Sequence, residues 1–279
     1  MSEYLLDLEP QVRLGVSLSV FLIMALWEVL SPRRVLGSSK LLRWSSNIGL
    51  ALLNTFLLRI IFPAAAVGMA IVAEERGFGL VNNFDIPYWV AVIGCVVFLD
   101  FAIYVQHVLF HSIPGFWRFH RMHHTDLDYD VTTGARFHPV EIIASMIIKL
   151  GVVSIIGAPP LAVLIFETLL NATAMFNHSN VYIPLSIDKT IRALVVTPDM
   201  HRVHHSVTSH ETNSNFGFNL AIWDRALGTY LDQPEKGHDN MTIGIDQFRE
   251  SKFLRFHNML LIPFLGDVTG YAINRRRFK

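Results

Sequence analysis

Five stretches of this chain are apolar enough to cross a bilayer, and the third runs without a break into a cluster of histidines. The stretches are 14–30, 47–73, 87–111, 140–157 and 159–177. A transmembrane helix needs roughly 20 apolar residues. The first stretch barely reaches that length, so four or five spans are expected. Arg59 and Pro63 interrupt the second, which predicts a kink or break there. The loop 31–46 carries Arg33, Arg34, Lys40 and Arg43 with no acid, whereas 74–86 carries Glu74, Glu75 and Asp85 against Arg76. The basic loop is therefore expected in the cytoplasm and the acidic one outside. On that topology the third helix delivers its histidines to the cytoplasmic face. Gly157-Ala158-Pro159-Pro160 is a turn signal, making the last two stretches a helical hairpin. The fold class expected is an all-α membrane protein with four or five transmembrane helices and a cytoplasmic histidine-rich helical cap.

Composition narrows the function. Hydrophobic residues make up 52% of the 279 and charged residues only 16%, too apolar a mix for an ordinary soluble domain. A formal net charge of +0 gives no global field to attract nucleic acid. The single cysteine, Cys95, excludes disulfide frameworks and cysteine-ligated iron–sulfur clusters. Glu3, Asp7 and Glu9 are the wrong charge for a signal peptide, so no cleavage is expected. Glu141 and Lys149 lie in the fourth stretch. Since a charge at mid-bilayer costs roughly 2.5–3.5 kcal/mol or more, they should face protein or water. Residues 179–250 read as a polar cap, 253–265 as a segment in the interface plane, and Arg275-Arg276-Arg277 as a cytoplasmic tail.

Thirteen histidines is many for this length, and most of them cluster. His107 and His111 lie four residues apart on one helical face. His120, His123 and His124 follow as a His-x-x-His-His box, and His201, His204 and His205 repeat it. Each box fans its rings over about 100° of a helix, which can hold one metal and still offer a ring to a second. With His178 at the end of a span there are nine rings, too many for one metal and a natural set for two, with open positions left for oxygen. Imidazole suits iron, zinc, copper and nickel alike. Ligating rings are usually oriented by a hydrogen bond to a carboxylate or carbonyl. Asp100 and Asp224 are candidates for that orienting role, each against a plain structural alternative. His138 is read as a ligand, an orienting group or the start of a helix. His210, His238 and His257 are read as structural. Arg118, Arg121, Arg202 and Arg225 are candidates for a docking surface or for an ordinary basic collar.

The order His-x-x-x-His, His-x-x-His-His, His-x-x-His-His, followed by Asn215-Phe216-Gly217-Phe218-Asn219 and Trp223 to Tyr230, resembles the fatty acid hydroxylase superfamily. That superfamily includes sterol desaturases, sterol methyl oxidases, carotene hydroxylases and alkylglycerol monooxygenase. The resemblance implies two iron ions held by the eight box histidines, with His178 matching an extra histidine of that family. It also implies molecular oxygen as co-substrate and hydroxylation or desaturation of a sterol, fatty acyl or related lipid. Zinc could replace iron after overexpression, because imidazole accepts both. The chain carries no glycine-rich dinucleotide fingerprint, haem attachment motif or cysteine cluster. Electrons are therefore expected from a separate protein of ferredoxin, rubredoxin or cytochrome type. Residues 1–94 are then N-terminal membrane helices, 95–235 the histidine-box catalytic domain, and 236–279 an interfacial segment and basic tail. Two other classes fit the histidines less well. A zinc-dependent membrane hydrolase leaves surplus ligands and no obvious general base in the boxes, and a metal transporter would place its ligands along a path at mid-membrane.

Overall fold

A computed structural model describes residues 8–268, 271 and 273 of the chain, so the tail arginines lie outside the described residues. Helices are α1 Glu9–Leu30, α2 Lys40–Ile61, α3 Ala65–Arg76, α4 Tyr88–Ser112, α5 Pro114–His124, α6 Pro139–Ile156, α7 Pro160–Asn177, α8 Leu185–Ile191 and α9 Pro198–His204, followed by shorter turns. Only isolated β-bridges occur among the described residues. Among the described residues, five segments are long and apolar enough to cross a membrane, with α2 and α3 counted in one of them. The chain is an all-α membrane protein.

The second apolar stretch breaks where Pro63 predicts. Helix α2 stops at Ile61, and Ala65 takes a positive φ of 48° before α3 resumes. Ala66, Ala70 and Ala73 are fully buried, and these small side chains let α3 close on α6 and α7. The α6–α7 turn has Gly157 at φ 65°, where an added Cβ would lie 2.8–3.1 Å from Asn82 and the backbone at Phe78 and Gly79. On α1, Leu14, Leu18, Leu22 and Leu26 lie four apart and stay exposed, the outward face a lipid-facing helix presents.

At one end of the bundle, α1, α4 and α7 finish while α2 and α6 begin. Glu28 at the end of α1 accepts from the backbone N–H of Val131 and Asn180, both at 2.7 Å. Arg43 at the start of α2 is fully buried and bridges Asp126 and Asp130. The polar cap sits on these ends. Helices α5, α6, α7 and α9 all open with proline at the first position, where a missing N–H costs nothing. The segment 253–265 forms short turns whose Met259 and Ile262 are buried against Leu50 and Met122, so it braces α2 and α5.

Candidate metal centre

Pro114 disfavours helix at Ile113, which is extended at φ −96° and ψ 116°. The chain therefore turns between α4 and α5, and the rings of the two helices face each other. His107 and His111 from α4 meet His120 and His124 from α5 and His204 from α9, with one nitrogen from each within 4.8 Å of all the others. His123 from the other side of α5 meets His178 after α7 and His201 and His205 of α9, within the same limit. Each His-x-x-His-His box thus divides, giving rings to both groups. All nine rings are buried, between 0% and 6% exposed.

Six of the rings are fixed through Nδ1. His107 lies 2.9 Å from the Phe216 carbonyl, His204 2.7 Å from that of Ser214, and His111 3.3 Å from Asn213 Oδ1. His120 lies 2.6 Å from Glu141 Oε1, His123 3.2 Å from the Arg136 carbonyl, and His178 2.7 Å from the Ala174 carbonyl. A neutral imidazole that donates through Nδ1 keeps its Nε2 lone pair free. These free nitrogens converge. His123 Nε2 is 3.2 Å from His178 Nε2, which is 3.1 Å from His201 Nε2, and His120 Nε2 is 3.3 Å from His124 Nε2. The Nε2 atoms of His107, His111, His204 and His205 are buried with no hydrogen-bond partner. Two nitrogens on one metal, each about 2.1 Å from it, lie roughly 3 Å apart. Converging ring nitrogens at that separation fit a cation held between them.

Burial favours the neutral form of His123, His124, His178, His201, His204 and His205. It pushes His178 down to about 4 and His204 to about 3, against the carbonyls on their Nδ1 atoms. His123, His124, His201 and His205 are also held well below the usual imidazole range, by burial and then by neighbouring rings. Neutral imidazole is the ligating form. Behind the second group lies a polar network. Arg43 donates to Asp126 at 2.7 and 2.9 Å, and Arg136 to the Met122 carbonyl and Thr125 Oγ1 at 3.1 and 2.9 Å. Burial alone would raise the Asp126 carboxyl, but Arg43 and then Arg136 hold it at about 2. Gly134 makes room beside His178, since a Cβ there would sit 2.7 Å from the Ala174 carbonyl.

The other sequence candidates sit elsewhere. Asp100 and Asp224 touch none of the nine rings. Asp100 accepts from the backbone N–H of Asn219 and Leu220, both at 3.2 Å, and from Trp223 Nε1 at 2.8 Å. Asp224 accepts from the N–H of Phe216 and Gly217 at 2.7 and 2.8 Å and from Thr229 Oγ1 at 2.6 Å. Both fix the loop that carries the Phe216 carbonyl, one step removed from His107. His138 belongs to neither group. It directly precedes Pro139, so its backbone stays extended, and its Nδ1 caps α6 by accepting from Val140 N–H at 3.1 Å. Arg121 and Arg202 are buried and bonded inward, to the carbonyls of Ile262 and Asp267 and to Asp199 and Ser179, so neither is free to dock a partner. The residue that sequence reading missed is Glu141. An acid in an apolar span is itself the signal, but its pairing with His120 across 21 positions is not written in any spacing.

A cavity of about 270 Å³ opens from the first group, with His107, His120 and His123 at one end. Phe110, Phe137, Phe218, Ile103 and Leu58 are among its apolar lining. It descends between the spans toward Lys149 and Glu167.

The comparisons with known proteins agree with this site. Residues 92–229 match the fatty acid hydroxylase family. Over 155 residues the chain is 31% identical to ornithine lipid hydroxylase OlsE of Rhizobium tropici, covering 54% of this chain and 45% of that protein. It is 28% identical over 171 residues to alkylglycerol monooxygenase of Homo sapiens, covering 59% and 36%. With cholesterol 25-hydroxylase of Homo sapiens it shares 25% over 143 residues, half of each chain. The matched stretch spans half or less of each of these relatives. No solved structure matches the chain. All three relatives are lipid hydroxylases or monooxygenases of one superfamily, and the chain belongs to it: the fatty acid hydroxylase superfamily.

Proposed function

We propose that this protein is a membrane-bound di-iron oxygenase that hydroxylates a C–H bond of a lipid. The observation that carries the reading is the pair of buried histidine groups, whose converging Nε2 atoms lie beside a mostly apolar cavity lined by His107, His120 and His123. His107, His111, His120, His124 and His204 would hold one iron, and His123, His178, His201 and His205 the other. Bound iron supplies the reductive activation of molecular oxygen.

The chain's own residues do the rest. The apolar cavity takes the lipid and brings one of its carbons to the rings of His107 and His120. Phe110, Phe137 and Phe218 line that space and keep water from it. The Glu141 carboxylate orients His120, and the carbonyls of Phe216, Ser214, Arg136 and Ala174 orient His107, His204, His123 and His178. Electrons come from a separate donor protein of ferredoxin, rubredoxin or cytochrome type, which Arg118 and the exposed Arg225 can still reach. The centre faces the cytoplasm. The basic loop supports that side, because Arg33 pairs with Asp199 and Asp239 of the cap.

The test is expression in iron-replete cells under ¹⁸O₂, with iron counted in the purified protein and lipids read by mass spectrometry. Two irons per chain and one ¹⁸O in a lipid hydroxyl are expected; His201→Ala should lose one iron and the ¹⁸O product. Protein holding no iron, or lipid product without ¹⁸O, would overturn the reading.

A further inference from the structure

The far end of the cavity carries charge where lipid-facing helices carry none. Lys149 Nζ donates to Glu167 Oε1 at 2.7 Å, and Arg13 Nη1 lies 3.0 Å from Glu167 Oε2. Arg13 also pairs with Glu9 at 2.5 Å. Lys149, Glu167 and Arg13 all line the cavity, along with Asn171. They sit within the spans α1, α6 and α7. Holding charges at that depth costs roughly 2.5–3.5 kcal/mol or more apiece, and an apolar contact would join the three helices without it. Such a group in a span calls for a role.

Its chemistry narrows the ligand. Two cations and two carboxylates balance, so a further ion would arrive uncompensated in a low-dielectric site. What the site offers is an acceptor on Glu167 beside the N–H groups of Lys149 and Arg13, which suits a neutral group that both donates and accepts. Glu167 is 2% exposed, and its Oε2 accepts no hydrogen bond, the Arg13 contact being misaligned for one. Glu141 Oε2 and Gln106 Oε1 are likewise buried without a donor, and both residues line the same cavity. Glu141, Ser145 and Lys149 recur every four residues, placing a polar stripe along one face of α6. A hydroxyl brings a donor without bringing charge.

We infer that the Lys149–Glu167–Arg13 cluster is a specificity subsite that receives a hydroxyl group of the lipid, remote from the carbon presented to the histidines. This rests on the lipid reading above. Glu141, beside His120, and Lys149 are eight residues apart on α6, a rise of about 12 Å. With carbon–carbon bonds of about 1.5 Å in zigzag, roughly ten carbons separate the two ends. The subsite thus fixes which carbon along the chain is presented, measuring from the hydroxyl.

The test compares 1-dodecanol with dodecane, each titrated against the detergent-solubilised, iron-loaded full chain and read by native mass spectrometry. Wild-type protein should bind the alcohol about tenfold more tightly or better, the increment of one hydrogen bond to a charged acceptor. The double variant Lys149→Met, Glu167→Leu leaves Arg13 paired with Glu9. It should lose that preference while keeping the alkane and its iron. Equal binding of alcohol and alkane by wild type overturns the inference without recourse to any variant. If neither binds while lipid is still hydroxylated, the subsite falls and the proposed function stands. If the preference is found but no lipid takes up ¹⁸O, the function falls and the subsite stands.

Discussion

The two histidine groups come from the same boxes and differ in what surrounds them. The five-ring group looks into the cavity through His107 and His120, and one of its rings is held by a carboxylate, Glu141. The four-ring group reaches the cavity only through His123. Its fixed rings rest on backbone carbonyls, with Tyr129 and Phe137 packed against them. On the proposed function the five-ring group would meet the substrate, while the four-ring group is closed off from it except at His123. Division of the boxes lets a single pair of helices serve both, because adjacent rings such as His123 and His124 point to different groups.

Loss of a ring should separate the groups most sharply. The four-ring group has no spare ligand, so His178→Ala is expected to lose one full iron and all activity. His111→Ala leaves four rings in its group and should retain more iron at similar loss of turnover. Iron counted per chain in the two variants decides it, and equal iron contents would erase the distinction.

Acid should act on both groups of the iron-free protein. His178 and His204 have native values lowered from 6.5 to about 4 and about 3. The unfolded chain therefore takes up protons first as pH falls. Their stabilisation is complete above about 6.5 and declines below it, by about 1.4 kcal/mol per pH unit for each ring. The loss of helical circular dichroism with urea, followed from pH 7 to 4.5, should move to lower denaturant throughout that window. A midpoint independent of pH would contradict the buried neutral state.

Next comes the carboxylate. Glu141→Gln should lower iron affinity or turnover by about 10–100-fold, because an amide oxygen is a weaker acceptor for His120 Nδ1. The defect should appear at the five-ring group alone, resolved by Mössbauer spectra as one perturbed iron of two. Gly134→Ala tests the closed group. Its Cβ would meet the Ala174 carbonyl at 2.7 Å, so a cost of about 1–3 kcal/mol is expected, with weakened iron at the four-ring group. The smallest effect belongs to His138→Ala. Losing a helix cap should cost about 0.5–2 kcal/mol of stability and leave both irons in place. Iron loss on that substitution would return His138 to the site.

Much of this was legible in the chain itself. Apolar runs, the Pro63 break and the hairpin at Gly157 follow from local rules, because a bilayer leaves the backbone few choices. The eight box rings were legible because three- and four-residue spacings survive folding intact, and His178 stood out at the end of a span. Their partition was not, since it depends on the turn at Ile113 and on how α9 meets α5. Nor were the groups that hold them. Backbone carbonyls such as those of Phe216, Ser214 and Arg136 leave no mark in a sequence, whereas Asp100 and Asp224, which do, hold the loop that carries the Phe216 carbonyl. Of the two readings open for Arg121 and Arg202, the sequence could not choose, because charge in it says nothing of which way a guanidinium points.

Interleaving of the boxes also bears on how the centre is assembled. Each of α5 and α9 contributes to both groups, so seating one ion fixes the rotation of helices whose remaining rings belong to the other. The second ion then meets rings already in place. Uptake should be cooperative, with singly loaded chains scarce at every iron concentration, and apoprotein should convert to doubly loaded protein in nearly one step.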